Sequence, residues 1–430
     1  MKNDSNNHVS RRKFISSAAI GGMSGLSLLN NPLGSFASPP EPDNITYPPS
    51  SVEPNMIGSY GPWADNLYGD APGRLSLRND KWTDVEAWKK AAQSRFIELL
   101  ARPDTGGTPE VTVLSRHSFD GLVIEKLSWQ LPYGPPTEAF FLKPEGADGP
   151  LPGVVALHDH GGNKYFGKRK ITQTSDEVHP AIPPFQEHYY GGRSWANELA
   201  KRGFAVLVPD AFAFGSRRVR LQDVSPSIRR NVKDVSPEEG EEEIQAYNRW
   251  ASDHEHILSK SLFCAGTTWP GVFVSEDQRA LDVLEARPEV DEERMGCCGL
   301  SGGGLRTLML SGVDPRIKTS VCVGMMSTWR DYLMYHSHTH TWMIYVPHLP
   351  REMDYSEIIT LQMPASRLVL NNSEDGLFDL GEQKRADTLL REVFKKAGAG
   401  DRYACEFHAG GHKFNRPMQE SAFGWFEKWL

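Results

Sequence analysis

Ser301, in the glycine-rich sequence Gly299-Leu300-Ser301-Gly302-Gly303, has the surroundings that most clearly indicate reactive chemistry. An apolar run typical of a buried strand precedes it, and a run typical of a helix follows it. A serine on a sharp turn between a strand and a helix is exposed as a nucleophile, and small residues such as Gly299 and Gly303 let the two elements approach each other. The N–H of Gly302 would then face the oxygen on which negative charge develops. We therefore predict Ser301 as a nucleophile and Gly302 as part of its oxyanion hole.

The base and the acid that such a serine needs are expected further along the chain. A serine hydroxyl becomes nucleophilic when a histidine takes its proton and a carboxylate orients that histidine. Asp375 follows one predicted strand, and His412 follows the last predicted strand, behind two glycines. We predict Asp375 as the acid and His412 as the base. Glu374 and Asp379 remain alternatives for the acid, and His408 remains an alternative for the base.

A second oxyanion donor is expected in the loop after the first parallel strand, because backbone amides at that place face the nucleophile. This loop has the sequence His158-Asp159-His160-Gly161-Gly162. Glycine lets a backbone amide approach a substrate closely, and we predict the N–H of Gly162, in preference to that of Gly161, as the donor. His158 and His160 are interpreted as packing and hydrogen-bonding groups beneath the loop, with metal binding as the alternative.

Three further histidines alternate along the chain, at His336, His338 and His340. In an extended segment all three would face one side, as metal ligands can. We favour a loop at the rim of a pocket, because a serine nucleophile with a histidine base needs no metal. The sequence therefore predicts neither a metal nor a cofactor, and metal binding at these histidines is the open alternative.

Alternating strands and helices must bring these residues together. Apolar runs predict strands at 154–157, 205–208, 319–323, 367–370 and 403–407, with helices at 85–99, 194–202, 276–286 (capped by Ser275), 382–397 and 418–429. Residues 111–142 alternate with a period of two, which is typical of an antiparallel edge. The order predicts an α/β fold with a doubly wound, mostly parallel sheet that has an antiparallel N-terminal edge.

Two long insertions interrupt this alternation, at about 211–274 and about 325–363. The first is polar and charged, and the second is rich in Trp, Tyr, Met and His. Both follow the carboxyl ends of predicted strands, where sheets of this class place their active sites. We expect the insertions to form a cap that shapes a substrate pocket.

The N-terminal segment has the composition of an export signal. Residues 10–15 read Ser-Arg-Arg-Lys-Phe-Ile, a twin-arginine motif, and a mildly apolar stretch too short to span a bilayer follows. We predict a signal peptide at 1–37 that engages the twin-arginine (Tat) translocase, a tether at 38–80 and one folded domain at 81–430. The mature protein is expected in the periplasm or secreted, without a stable membrane anchor.

Composition excludes several classes of protein. The 430 residues are 39% hydrophobic and 24% charged, with a formal net charge of −8. These values are typical of a globular protein and exclude a largely disordered chain. A net negative charge does not favour nucleic acid as a partner.

Four motifs together resemble a known family. They are His158-Asp159-His160-Gly161-Gly162, Gly299-Leu300-Ser301-Gly302-Gly303, Glu374-Asp375-Gly376-Leu377-Phe378 and Gly411-His412-Lys413-Phe414. Their order along residues 80–430 resembles secreted bacterial α/β-hydrolases of the acetyl xylan esterase and dienelactone hydrolase-like group. The resemblance implies the α/β-hydrolase fold, a triad of Ser301, Asp375 and His412, and an oxyanion hole from the amides of Gly162 and Gly302.

Three departures narrow the reaction that the resemblance implies. Acetyl xylan esterases of this group are expected to carry a bulkier residue after His-Gly, where this chain has Gly162, which argues against a strict specificity for acetyl groups. Dienelactone hydrolases use a cysteine nucleophile where this chain has Ser301, which argues against their reaction. Glucuronoyl methylesterases are expected to carry an arginine after the serine, where this chain has Gly302. The sequence thus predicts an exported serine ester hydrolase that acts on a small-molecule or carbohydrate ester. The alternatives are a prolyl oligopeptidase-type peptidase and a non-catalytic protein that binds a ligand or metal.

Overall fold

A single nine-stranded sheet organises the computed structural model, which describes residues 53–430. The strand order is β1-β2-β3-β5-β4-β6-β7-β8-β9. The strands are β1 (Val111–Phe119), β2 (Leu122–Trp129), β3 (Thr137–Pro144), β4 (Leu151–Leu157), β5 (Ala205–Pro209), β6 (Val290–Leu300), β7 (Ile317–Val323), β8 (Ser366–Asn372) and β9 (Tyr403–His408). Strands β4 to β9 are parallel, and β1 to β3 form an antiparallel edge that joins β5. The predicted sheet is therefore confirmed.

Helices cover the sheet and connect its parallel strands. The longer ones are α1 (Gly61–Tyr68), α2 (Val85–Leu100), α3 (Ile182–Tyr190), α4 (Trp195–Lys201), α5 (Glu241–Cys264), α6 (Trp269–Glu285), α7 (Gly302–Val313), α8 (Leu380–Lys396) and α9 (Arg416–Trp429). Strands β5 and β8, which lie inside the sheet, are buried along their whole length, as expected for strands with layers on both faces. The carboxyl ends of β4, β6, β8 and β9 thus meet at one edge of the sheet.

The predicted tether is shorter than 38–80, because its described part folds against the domain. Residues Gly61–Tyr68 form a helix, and the Tyr68 hydroxyl donates to Oδ2 of Asp354 at 2.7 Å. Arg74 pairs with Glu352 at 2.7 Å. These contacts hold residues 61–80 to the second insertion. The predicted signal peptide at 1–37 and tether residues 38–52 lie outside the described residues.

One helix boundary differs from the prediction in a way that shortens the first insertion. The helix predicted at 276–286 begins seven residues earlier, at Trp269, and Ser275 lies inside it. Thr268 is its N-cap, with Oγ1 accepting the Gly271 N–H at 2.9 Å. The long helix α5 forms the centre of this insertion, and the second insertion consists of short helical turns. Among residues 53–430, no helix combines the length and apolarity needed to cross a membrane.

Candidate active site

Ser301 sits on a strained turn between β6 and α7. Strand β6 ends at Leu300 and helix α7 begins at Gly302, so the serine alone makes the turn. Its backbone has φ 56° and ψ −118°, a conformation that costs a non-glycine residue of order 1–3 kcal/mol and persists only where the surroundings impose it. The Ser301 N–H donates to the carbonyl of Val323 on β7 at 2.9 Å, which ties the turn to the neighbouring strand.

Close backbone approach around this turn explains its glycines. A Cβ atom on Gly303 would lie 2.0 Å from the carbonyl oxygen of Leu157, at the end of β4. A Cβ on Gly299 would lie 2.4 Å from the same oxygen. Real Cβ contacts essentially never fall below 3.0 Å, so neither position can hold a larger residue without moving backbone. The two glycines thus bring the start of α7 against the end of β4.

His412 and Asp375 form a hydrogen-bonded pair. Asp375 lies after β8 and His412 lies after β9, and Nδ1–H of the histidine donates to Oδ2 of Asp375 at 2.6 Å. The other carboxylate oxygen accepts the Leu377 N–H at 3.0 Å, which fixes its orientation. Nε2 of His412 is buried and makes no hydrogen bond to any residue in 53–430. This nitrogen is therefore available to accept a proton.

The alternative acids and the alternative base are engaged elsewhere. Asp379 is the N-cap of α8, where its carboxylate accepts the Glu382 N–H at 2.9 Å. Glu374 accepts the Gly410 N–H at 3.3 Å. His408 contacts Glu406 at 2.9 Å. The structure thus pairs His412 with Asp375 rather than with either competitor.

A pocket of about 350 Å³ lies over the serine. Ser301, Gly302 and His412 line it together with Gly161 and Gly162 of the loop after β4. Both insertions complete its wall, the first through Ser252 and Glu255 and the second through residues 339–341. The structure therefore brings the predicted nucleophile, base and loop to one cavity and places both predicted cap segments at its rim.

The loop after β4 differs from the prediction in one hydrogen bond. The Gly162 N–H, predicted to bind the oxyanion, donates to Nδ1 of His160 at 3.1 Å. It would have to leave that acceptor before it could bind a substrate oxygen. The Gly161 N–H, in contrast, has no acceptor within residues 53–430. Gly302 starts α7, so its N–H has no acceptor within that helix.

The histidines of this loop are hydrogen-bonding groups beneath it. Nδ1 of His158 lies 3.0 Å from the carbonyl oxygen of Asp159, and Nε2 accepts the Ala211 N–H at 3.2 Å. Complete burial, together with nearby cations including Lys170, lowers the pKa of His158 well below its usual range. The ring is therefore neutral, as both hydrogen bonds require.

A buried lysine that the sequence did not single out holds the loop from below. Lys170 has no exposed side-chain surface, and its ammonium donates to the backbone carbonyl of Asp159. It also contacts the Asp159 carboxylate at 3.1 Å and the carbonyls of His160 and Asn163 at 3.2 Å each. Burial lowers its pKa, while the charge of Asp159 opposes that shift. No local pattern distinguishes Lys170 from the other lysines near it.

Glu255 is a second residue at this site that the sequence did not single out. It lies on α5 of the first insertion, and its carboxylate reaches His160 and Lys164, each at 2.6 Å. Its other oxygen accepts the Thr341 hydroxyl at 2.7 Å and the Trp342 N–H at 3.2 Å. Several other glutamates occur in the same helix, so only the fold identifies this one.

The alternating histidines do not face one side, because their segment folds into helical turns rather than an extended chain. Nδ1 of His336 contacts the carboxylate of Asp331 at 2.5 Å. Nε2–H of His340 donates to the carbonyl of Leu377 at 2.8 Å, whereas His338 is exposed. In the described part of the chain, no group of three or more His, Cys, Asp or Glu side chains is arranged to hold a metal ion.

Comparisons with known proteins agree with this architecture. No family model matches the chain. A protein of Bacillus subtilis (strain 168) named "Putative hydrolase YtaP" is 26% identical over 311 residues, which are 72% of this chain and 88% of that protein. A crystal structure described as a "putative acetyl xylan esterase" from Bacteroides fragilis has a TM-score of 0.61 at 17% identity and covers 84% of each chain. A glucuronoyl esterase from Solibacter usitatus has a TM-score of 0.56 at 14% identity and covers 84% of this chain and 97% of its own.

The two structures are similar to this chain in their backbone fold. At 17% and 14% identity they establish the fold, and they confirm at that level the resemblance that the four motifs indicated. The chain has the α/β-hydrolase fold.

Proposed function

We propose that the chain is an exported serine ester hydrolase that cleaves carboxylic esters through an acyl-enzyme on Ser301. The observation that carries this proposal is the pocket of about 350 Å³ in which Ser301 and His412 share a wall. Oδ2 of Asp375 lies 2.6 Å from Nδ1 of this histidine. A hydroxyl on a strained turn, in one pocket with an imidazole whose Nε2 has no partner in residues 53–430, fits nucleophilic attack on a carbonyl carbon.

In the proposed reaction His412 accepts a proton and returns it once in each of two half-reactions. Nε2 accepts the hydroxyl proton of Ser301 while the Ser301 oxygen bonds to the ester carbonyl carbon. The π electrons of the carbonyl group move to the carbonyl oxygen, which becomes the oxyanion. Asp375 stabilises the imidazolium, and the Gly302 N–H with an N–H of the Gly161–Gly162 turn binds the oxyanion. His412 returns its proton to the departing alcohol. A water molecule then attacks the acyl carbon while Nε2 takes its proton. The bond between that carbon and the Ser301 oxygen breaks, the proton passes to the Ser301 oxygen, and the acid is released.

For the substrate we propose an ester of a carbohydrate or a related small molecule with a small, neutral acyl group, such as acetyl. Two structural neighbours are described as an acetyl xylan esterase and a glucuronoyl esterase, which supports an ester of a sugar. The pocket volume lies at the lower end of the range for small-molecule sites, which is in keeping with a short acyl chain. Gly302 supplies no cation after the serine, so no charge at that position would pair with an acyl group that carries a free carboxylate.

A comparison of wild type with Ser301→Ala tests the proposed mechanism. Hydrolysis of p-nitrophenyl acetate, butyrate and octanoate is measured for both proteins, and a fluorophosphonate probe locates the reactive serine. We expect labelling at Ser301 and a loss of about 10³-fold or more in kcat for the mutant, with rates that fall as the acyl chain lengthens. Folded wild type that shows neither turnover nor labelling would contradict the mechanism. Cleavage of a proline anilide without ester hydrolysis would favour a peptidase instead.

Export through the twin-arginine route is a separate part of the proposal. It rests on Arg11 and Arg12 and on the weakly apolar stretch that follows them. Replacing both arginines by lysine retains the charge and removes the motif. We expect the unprocessed protein to accumulate in the cytoplasm, which cell fractionation with immunodetection measures. Unchanged export of the variant would contradict this route.

A further inference from the structure

The imidazole of His160 is held at both nitrogens by partners of opposite hydrogen-bonding character. Its Nε2 lies 2.6 Å from Oε1 of Glu255, and its Nδ1 lies 3.1 Å from the backbone nitrogen of Gly162. A carboxylate can only accept a hydrogen bond, and a backbone N–H can only donate one. Both contacts are therefore satisfied only by the neutral tautomer that carries its proton on Nε2.

The charges around the pair favour this neutral ring beside an ionised carboxylate. Burial and the charge of Lys164 lower the pKa of His160, which opposes protonation of Nδ1. Burial by itself would raise the pKa of Glu255, but the hydrogen bond from His160 and the charge of Lys164 outweigh it and hold that pKa well below its usual range. Glu255 consequently remains an acceptor for the Nε2–H.

The tautomer of His160 decides whether its ring can accept the Gly162 N–H in the loop that faces Ser301. An Nδ1 lone pair holds the Gly162 N–H, whereas a proton on Nδ1 would repel it. With Gly162 engaged, Gly161 supplies the loop amide that has no acceptor within residues 53–430. Gly161 and Gly162 have φ values of 50° and 64°, and the Asn163 N–H closes their turn by donating to the His160 carbonyl at 3.0 Å. The ring of His160 adds a side-chain hydrogen bond to the same turn.

We propose that Glu255 is a positioning residue for the ester hydrolysis proposed above: it fixes the tautomer of His160 and thereby the geometry of the Gly161–Gly162 turn over Ser301. The inference rests on that proposed function. The same carboxylate accepts hydrogen bonds from Thr341 and from the N–H of Trp342 in the second insertion. Both insertions therefore meet the oxyanion loop at one side chain.

Substitutions of Glu255 separate positioning from a role that needs the negative charge. Glu255→Ala removes the acceptor, and Glu255→Gln keeps one acceptor oxygen at the same reach. We expect the alanine variant to lose about tenfold to hundredfold in kcat on p-nitrophenyl acetate, with KM within about twofold, because a small displacement of catalytic groups has effects of that size. The glutamine variant should recover most of the loss. Equal losses in both variants would overturn the proposal, because they would show that the charge itself acts.

Substitutions of His160 test the link to the loop and remain informative where Glu255→Ala folds poorly. An asparagine side chain can accept the N–H two residues later without help from Glu255. A phenylalanine has a similar shape and no acceptor. We expect His160→Asn to stay within about fivefold of wild type, His160→Phe to lose as much as Glu255→Ala, and Glu255→Ala to cost nothing further in the His160→Asn background. Additive losses in the double variant would overturn the proposal.

Two measurements separate a displaced oxyanion loop from unfolding of a variant and from failure of the esterase proposal. Histidine ¹⁵N spectra of wild type should show a neutral His160 with its proton on Nε2, and Glu255→Ala should lose that single tautomer; the opposite tautomer in wild type would overturn the inference. Fluorophosphonate titration gives the fraction of competent sites, to which each kcat is normalised. If Ser301→Ala retains activity, the proposed function fails, whereas the spectra still report the tautomer.

Discussion

The contact between Gly303 and Leu157 offers a direct way to move the nucleophile without changing any reacting group. In Gly303→Ala the new Cβ would lie 2.0 Å from the carbonyl oxygen of Leu157, whereas ordinary contact begins at 3.4 Å. The separation between this Cβ and the Leu157 oxygen must therefore increase by about 1.4 Å. The neighbouring atoms belong to the backbone of Leu157 and His158, so no flexible side chain can move aside. The start of α7 must shift relative to β4.

Such a shift displaces Ser301 relative to His412, which lies on a different loop. A misplacement of about 1 Å at a catalytic group costs about 10²-fold in rate. Forcing extra volume into a packed region destabilises a protein by about 1–3 kcal/mol. We therefore expect Gly303→Ala to lower kcat/KM by about 10²-fold while the protein remains folded.

The assay compares p-nitrophenyl acetate hydrolysis, fluorophosphonate labelling and the midpoint of thermal unfolding in wild type and variant. Gly376→Ala is the matched control, because a Cβ there meets no atom within 4 Å although the residue adjoins Asp375. It should retain wild-type kcat/KM and stability. Wild-type activity together with an unchanged unfolding midpoint in Gly303→Ala would refute the reasoning, because the close approach would then not hold the serine in place.

Three other substitutions test the remaining contacts. Asp375→Asn should lower kcat about 10³- to 10⁴-fold with little change in KM, because the amide no longer holds His412 in its reactive tautomer; a loss below tenfold would exclude Asp375 as the acid. Burial lowers the pKa of His340 to about 4, so the unfolded chain binds a proton more readily than the folded one below about pH 6.5. Stability should fall as pH drops from about 6.5 to 4, and His340→Gln should reduce that slope in urea denaturation by at most about 1.4 kcal/mol per pH unit. Lys170→Met should destabilise the protein by about 3–5 kcal/mol, because it leaves the buried Asp159 carboxylate without its cation; an unchanged midpoint of chemical unfolding would contradict this role.

Local signals predicted much of the fold and part of the site. The turn at Ser301 could be predicted because strand, turn and helix follow one another within a few residues. Gly299 and Gly303 beside it approach the same carbonyl oxygen, that of Leu157. Asp375 and His412 could be ranked because loops after parallel strands meet at one sheet edge. The predicted tether extends too far along the chain, because composition does not reveal that Tyr68 and Arg74 have partners near residue 353.

The sequence by itself determines the order of strands and helices, the turn that carries the serine, and the positions of acid and base after their strands. It does so because backbone preferences and hydrophobic periodicity act over short windows. The tertiary structure alone decides which carboxylate meets His412, because capping occupies Asp379. It alone brings Glu255 of an insertion helix to His160, 95 residues earlier in the chain. Pairings of this kind depend on how distant segments pack, and a hydrogen bond between distant side chains leaves no periodic trace in the sequence.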